Sequence, residues 1–382
     1  MLYDFCGWFV KNDSTPAMLG VLNTQVISGV VPINKSKFIK LLLGLIVTIV
    51  CLVAAVWGID FEQIYTSFKR ANYWTLPLML GALFMFYWLK AVRWQMLLEP
   101  IKKLTVAQVT PAMMIGFMGN NILPAHLGEF LRVYVLSRQF QIPKTTVLST
   151  LVLERLFDVI AILCYLGIGI YFAPNLPERY HTISLIVASG IVVMIIAVAA
   201  YIIWTEAVIR LFRSIFSYLP FLPEKLTHLV LEMMRAGALG MTSLKSKRLC
   251  FGIIWTSFAQ WLFNGLSIYI ALWSFNIQVS PLAAFVVLGV TAFGVIVPST
   301  PGFFGVVQLC FSVSLKAFGV ASADAFSASI YYQLSQYFPV TIIGLYYSNR
   351  EGLKFSEAEQ EAENELEELE GGHESGADSE SC

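Results

Sequence analysis

Five charged side chains, Glu129, Arg132, Glu154, Arg155 and Asp158, fall in one stretch, residues 116–158, whose surroundings are mostly apolar. A charge at the centre of a bilayer costs roughly 2.5–3.5 kcal/mol on insertion scales, so such residues usually pair, face a polar cavity and carry function. Glu129 and Arg132 are three apart, as are Arg155 and Asp158. That spacing sets each acid and base on one helix face, where they can pair. Two ion pairs lining one cavity is the arrangement this repetition predicts. An anionic lipid phosphate would be drawn to Arg132 and Arg155, because a guanidinium forks onto phosphate oxygens better than an ammonium does. The bland alternative is a structural clamp, but it leaves Glu154 as an extra acid in hydrocarbon.

Just upstream, Gly119-Asn120-Asn121 and Leu123-Pro124-Ala125 interrupt any continuous helix. Backbone groups freed at membrane depth need partners, so broken backbone beside paired charges predicts a polar site inside the membrane. Asn120, Asn121 and His126 belong to that break. His126 is read first as a polar residue satisfying the break and second as a proton-sensitive partner. A second break, VPSTPGFFGVV, precedes Gln308, which reads as a hydrogen-bond anchor of the segment that follows. Backbone N–H groups after Asn120 or Pro301 could add helix-terminus donors for an anion.

The elements that must position these residues are apolar. The chain has 382 residues, 57% hydrophobic and 13% charged, with mean hydropathy +0.70. Soluble domains carry about 25% charged residues, so a soluble core is excluded. The six cysteines are scattered singly, and the four histidines lack metal-ligand spacing, which leaves no disulfide framework or metal site to propose. No cleavable signal pattern precedes the first apolar run. Nothing in composition or motifs points to nucleic acid, to a cofactor or to a GxxxxGK[ST] phosphate loop.

Residues 1–36 read as a cytoplasmic leader and 37–350 as the membrane domain. Spans are expected at 38–59, 74–98, 146–172, 183–204, 249–273 and 324–348, each close to the ~20 residues that cross the hydrocarbon core. A polar loop is expected at 60–72. Residues 106–140 and 281–319 each fit a re-entrant hairpin better than two spans. Residues 205–248 mix apolar residues with Arg210, Arg213, Lys225 and other bases, a pattern of amphipathic helices on the inner surface. Residues 351–382 are an acidic tail read as disordered. Lys90 and Arg93 read as snorkelling anchors, and Trp74, Trp88, Trp94, Trp255 and Trp261 as interface belts or packing. The expected fold is therefore all-α, a polytopic bundle of about six spans plus two re-entrant hairpins as an inverted repeat. Loop charge places both termini in the cytoplasm, and the inner membrane of a prokaryotic cell is the expected location.

Leu123-Pro124-Ala125 with Gly128-Glu129 and Arg132, then Glu154-Arg155 with Asp158, then Pro298, Pro301-Gly302 and Gly305-Val306 resemble the lysylphosphatidylglycerol synthase transmembrane-region family. Lys90-Ala91-Val92-Arg93-Trp94 resembles that family's Arg-Trp element, and the likeness runs over about residues 40–350. Two positions depart: His126 stands where the family commonly has Arg, and Gln308 where it commonly has Glu. The resemblance implies a flippase-like protein without catalytic residues, moving an anionic phospholipid or a polyprenyl-phosphate-linked lipid between leaflets. Its partners would be a lipid headgroup and a lipid-modifying or glycosyltransferase enzyme. A scaffold or accessory subunit of such an enzyme is the alternative. An intramembrane transferase using Glu129 or Asp158 ranks last.

Overall fold

The computed structural model describes residues 35–123, 127–172, 204–217, 246–296 and 301–352, with isolated positions between 182 and 203. Residues 1–43 and 44–382 form separate units, and the charged stretch lies wholly in the second. Among its described residues the regular structure is all helical, in eleven α-helices. These are α1 (Lys35–Val56, entering this unit at Gly44), α2 (Phe61–Arg70), α3 (Leu76–Leu98), α4 (Val106–Ile122), α5 (Gly128–Phe140) and α6 (Lys144–Phe172). After α7 (Thr205–Ser217) come α8 (Lys247–Ser274), α9 (Pro281–Gly294), α10 (Val306–Lys316) and α11 (Ser322–Arg350). Two described segments, Tyr73–Leu98 and Lys247–Ser274, are long and apolar enough to cross a membrane. Gly44–Val56 with Phe61–Arg70, bent by 80°, makes a third if taken as one span.

Residues 61–70 correct the expected polar loop. Asp60 caps a real helix there, its side chain accepting from Glu62 N–H at 3.1 Å. Phe61, Ile64 and Phe68 recur at helical spacing, so the segment has an apolar face despite its charges. Only α7 of the amphipathic region 205–248 is described over a continuous run; residues 218–245, the span expected at 183–204 and the acidic tail lie largely or wholly outside the described residues.

α4 also runs further than the sequence suggests. It holds its helix through Gly119, Asn120 and Asn121 and stops at Leu123, whose backbone is extended (φ −95°, ψ 147°). Pro124 explains the position of the stop, because its ring disfavours helical backbone in the residue before it. Pro124, Ala125 and His126 themselves lie outside the described residues. The chain then returns along itself: Gly116 faces Arg132 while Gly119 faces Gly128 and Leu131, an antiparallel register. The approach is so close that a Cβ on Gly128 would overlap the Gly116 carbonyl oxygen. Small residues are how membrane helices reach such contact when no hydrophobic driving force separates protein from lipid.

The second break is similar in kind. Gly302 (φ 76°) and Gly305 (φ 86°) carry the chain through left-handed backbone between α9 and α10. Gly294 at the end of α9 lies against Val306 and Cys310, so this segment also folds back on itself. Among the described helices, α3 packs along α8, α4 along α11 and α6 along α9. One apolar cluster joins α8 to α11 with part of α3, and another joins α3 to α6. Between them lie the charges.

Candidate functional site

Asp158 and Glu154 stand four apart on α6, so both carboxylates leave the helix on one side. α3 crosses that side and presents Lys90 and Arg93, one turn apart. Lys90 Nζ lies 3.1 Å from Glu154 Oε1 and 3.1 Å from Asp158 Oδ2. Arg93 reaches the same two acids, 2.7 Å to Asp158 Oδ1 and 3.3 Å to Glu154 Oε1. α5 brings Arg132, whose two terminal nitrogens donate to the two oxygens of Glu154 at 2.8 and 3.3 Å. The Arg132 guanidinium carbon lies over Trp94, 3.6 Å from the ring centre, and the Trp94 indole donates to Thr150 Oγ1 at 3.1 Å. All five charged residues are at most 5% exposed.

α8 completes the cluster with neutral partners, two donors and one acceptor. Gln260 Nε2 and Trp261 Nε1 donate to Asp158 Oδ1 at 2.6 and 2.7 Å, and Arg93 donates to Ser257 Oγ at 3.0 Å. One carboxylate oxygen of Asp158 thus accepts from Arg93, Gln260 and Trp261 together. The charges do not cancel: Lys90, Arg93 and Arg132 face two carboxylates, a surplus of one positive charge. Lys90 offsets part of its own charge against the faces of Phe86, Phe117 and Trp261, each 5.6–5.8 Å from Nζ.

Glu129 and Arg155 form a separate pair between α5 and α6. The intrahelical pairs expected from spacing do not form: each of these acids pairs with a base from another helix. The reason is direction. Glu154 and Asp158 face α3, while Arg155, one position round the helix, points instead toward Glu129 and a cavity. Arg155 and Glu129 side chains are 48% and 30% exposed, open to that space.

The cavity has a volume of about 560 Å³. Lys90, Glu129, Arg155 and Asp158 are on its wall, with Asn120 and Asn121 beside them; Arg93, Arg132 and Glu154 are not. Apolar side chains such as Phe117, Ile162, Leu288 and Phe303 line much of the rest. Asn121 also ties α4 to α11, donating to Thr341 Oγ1 at 3.0 Å. Gln308 sits just off the cavity as an anchor: its Oε1 accepts from Gly305 N–H at 2.6 Å, and its Nε2 donates to Gln333, which donates in turn to the Gly302 carbonyl. Gln308 therefore braces the second break. Among the described residues no three His, Cys, Asp or Glu side chains converge as metal ligands.

Lys90 and Arg93 are corrections to the snorkelling reading, since both are buried at the centre of the cluster. Their signal is arithmetic: two bases three apart on an apolar helix, and two acids four apart on another. Trp94 and Trp261 hold charged groups, whereas Trp74, Trp88 and Trp255 are exposed. The polar stripe of α8 is what sequence reasoning misses, Trp261 being expected there only as interface belt or packing. Ser257, Gln260, Trp261 and Asn264 nevertheless recur at helical spacing along an apolar span, and that stripe is the signal that could find them.

Residues 41–344 match the lysylphosphatidylglycerol synthase TM region. The chain belongs to that family. The UPF0104 membrane protein MJ1078 of Methanocaldococcus jannaschii is 24% identical over 227 residues, covering 59% of this chain and 90% of the relative. A second protein of that organism, UPF0104 membrane protein MJ1595, is 25% identical over 241 residues, 60% of this chain and 70% of its own length. The glycosyltransferase AglD of Haloferax volcanii is 23% identical over 334 residues; these are 77% of this chain and 52% of AglD. The chain thus spans about half the length of AglD. No solved structure matches. As a member of the family, the chain is a membrane protein.

Proposed function

We propose that this member of the lysylphosphatidylglycerol synthase TM family is a lipid translocase, which passes an anionic headgroup between leaflets while the acyl or prenyl chains stay in lipid. One observation carries the reading: a 560 Å³ cavity has Lys90 and Arg155 on its wall, backed by a buried cluster with one positive charge in excess. A phosphate supplies the missing negative charge, and the apolar walls suit the chains that come with it. The headgroup is that of an anionic phospholipid or a polyprenyl-phosphate-linked lipid.

The packing pattern supports a two-halved mechanism. Taking α3–α6 and α8–α11 as halves, exchange of the two leaves the α3–α8 contact unchanged and turns α4 on α11 into α9 on α6. An inverted repeat of about six spans with two re-entrant hairpins would have that property, and it is supported by a cavity lined by residues of both breaks, Asn120 and Asn121 from one and Gly302 and Phe303 from the other. In this reading both termini face the cytoplasm of a prokaryotic cell.

A second reading keeps the chain as an accessory subunit of a lipid- or glycan-modifying enzyme. It is favoured by the mutual pairing of the buried five, which resembles a brace, and by the likeness to a relative named as a glycosyltransferase. The deciding experiment follows fluorescent phosphatidylglycerol between leaflets of proteoliposomes, using bilayer-impermeant dithionite. Arg155→Gln should abolish movement at unchanged protein content, and Arg155→Lys should keep part of it, since it retains charge but loses the fork. Movement by Arg155→Gln at the rate of the parent protein would refute the translocase reading.

A further inference from the structure

Two carboxylates stand on the cavity wall, Glu129 and Asp158, and they are held very differently. Asp158 is buried and accepts from Lys90, Arg93, Gln260 and Trp261. Glu129 accepts from Arg155 alone among the described residues, and Arg155 donates to Glu129 alone. Their contact runs through one terminal nitrogen and one carboxylate oxygen, with no second bond behind it. Both side chains are open to the cavity. The guanidinium best placed to draw a phosphate is thus already engaged, by an anion that belongs to the protein.

Carboxylate and phosphate are rivals for such a group, since both present anionic oxygens to its N–H donors. A phosphate arriving at Arg155 also meets the like charge of Glu129, and between apolar walls that repulsion is strong. Glu129 can yield: its side chain is long and singly held. It also stands in the first turn of α5, where the helix dipole favours a negative charge whether or not Arg155 is engaged. Building on the anionic-lipid reading, we propose that Glu129 is a displaceable stand-in for the headgroup, giving Arg155 up to the lipid phosphate and taking it back to release the lipid. Release matters as much as capture, because a transport site must bind well enough to load and weakly enough to unload. Arg155 then sets the affinity and Glu129 the turnover.

The test is a double-mutant cycle on the full chain. Binding of fluorescent phosphatidylglycerol is measured in detergent, and its movement between leaflets in proteoliposomes. Glu129→Gln should tighten binding about five-fold, the factor matching the upper worth of an exposed ion pair, and should slow movement at saturating lipid. In the Arg155→Gln background the same change should alter binding less than about two-fold, because no guanidinium is left to contest. Equal tightening in both backgrounds would mean simple charge repulsion and would overturn the exchange. Unchanged or weaker binding by Glu129→Gln would overturn it as well. In either case a loss of affinity on Arg155→Gln alone would leave the anionic-lipid reading standing. Faster movement by Glu129→Gln than by the parent would overturn the release role. Phosphatidylglycerol bound no more tightly than phosphatidylcholine or inorganic phosphate, and indifferent to Arg155→Gln, would refute the anionic-lipid reading itself.

Discussion

The buried five, drawn from α3, α5 and α6, and the Glu129–Arg155 pair, which bridges α5 and α6, are neighbours, yet they live in different solvents. Glu154 is 1% exposed and bound by three bases; Arg155, the next residue, has a side chain 48% exposed and bound by one acid. In the dry cluster the charges left water at a cost that only their mutual geometry offsets. In the pair that cost is small, because the cavity keeps both groups accessible, and the net worth is correspondingly small. One position round the helix therefore separates charges that hold the protein together from charges available to a ligand. Position on the helix, more than residue type, decides the role.

Removing one member of the dry cluster should have the largest effect. Glu154→Gln strands Arg132 and leaves Lys90 and Arg93 with Asp158 alone, so stability should fall by about 3–5 kcal/mol. The detergent-solubilised melting temperature checks it; a shift no larger than that of Glu129→Gln would erase the distinction between the two regions.

Lys90 should behave differently from its neighbours. Its removal brings the cluster to two bases and two acids, and both carboxylates keep Arg partners. Lys90→Met should therefore change stability by about 1 kcal/mol or less, while lowering affinity for phosphatidic acid several-fold. A Lys90→Met protein that bound anionic lipid as tightly as the parent would show that the surplus charge is not felt in the cavity.

The smallest expected effect belongs to the exposed pair. Glu129→Gln should cost less than about 1 kcal/mol. Raising salt from about 0.05 to about 0.5 M should weaken lipid binding but hardly move the melting temperature, because screening reaches accessible charges and not enclosed ones. Parallel loss of both would place Arg155 with the dry cluster.

Most of the helices are legible from apolar length. The bounds of the span expected at 146–172 are right to within two residues, whereas α4 outruns the break expected at Gly119-Asn120-Asn121, because those residues stay helical until the residue before Pro124. Glu129, Arg132, Glu154, Arg155 and Asp158 stand out because charge in an apolar chain is conspicuous. Their pairing does not, because spacing along one helix says nothing of which helix crosses it. Lys90 and Arg93 are misassigned for the opposite reason: in the inner part of a spanning helix, a base has an innocent explanation as a snorkelling anchor. Ser257, Gln260 and Asn264 carry no charge, so only their shared face on α8 could mark them. The segment after Asp60 reads as loop because its polar residues outnumber the apolar ones that form the face of α2.

All five residues of the dry cluster lie between positions 90 and 158, and this has a consequence for how the protein is made. Lys90 is synthesised 64 residues before Glu154. At about 5–20 residues per second, α3 exists for several seconds with two bases and no acid to meet them. Two such charges cost roughly 5–7 kcal/mol at bilayer depth, so α3 is a poor candidate to settle before α6 leaves the ribosome. Once α6 arrives, both carboxylates have partners, and α8 adds only neutral donors 102 and 103 residues after Asp158. The first half of the chain can thus complete its own ion pairs during synthesis, and the second half docks onto a charge cluster that is already closed.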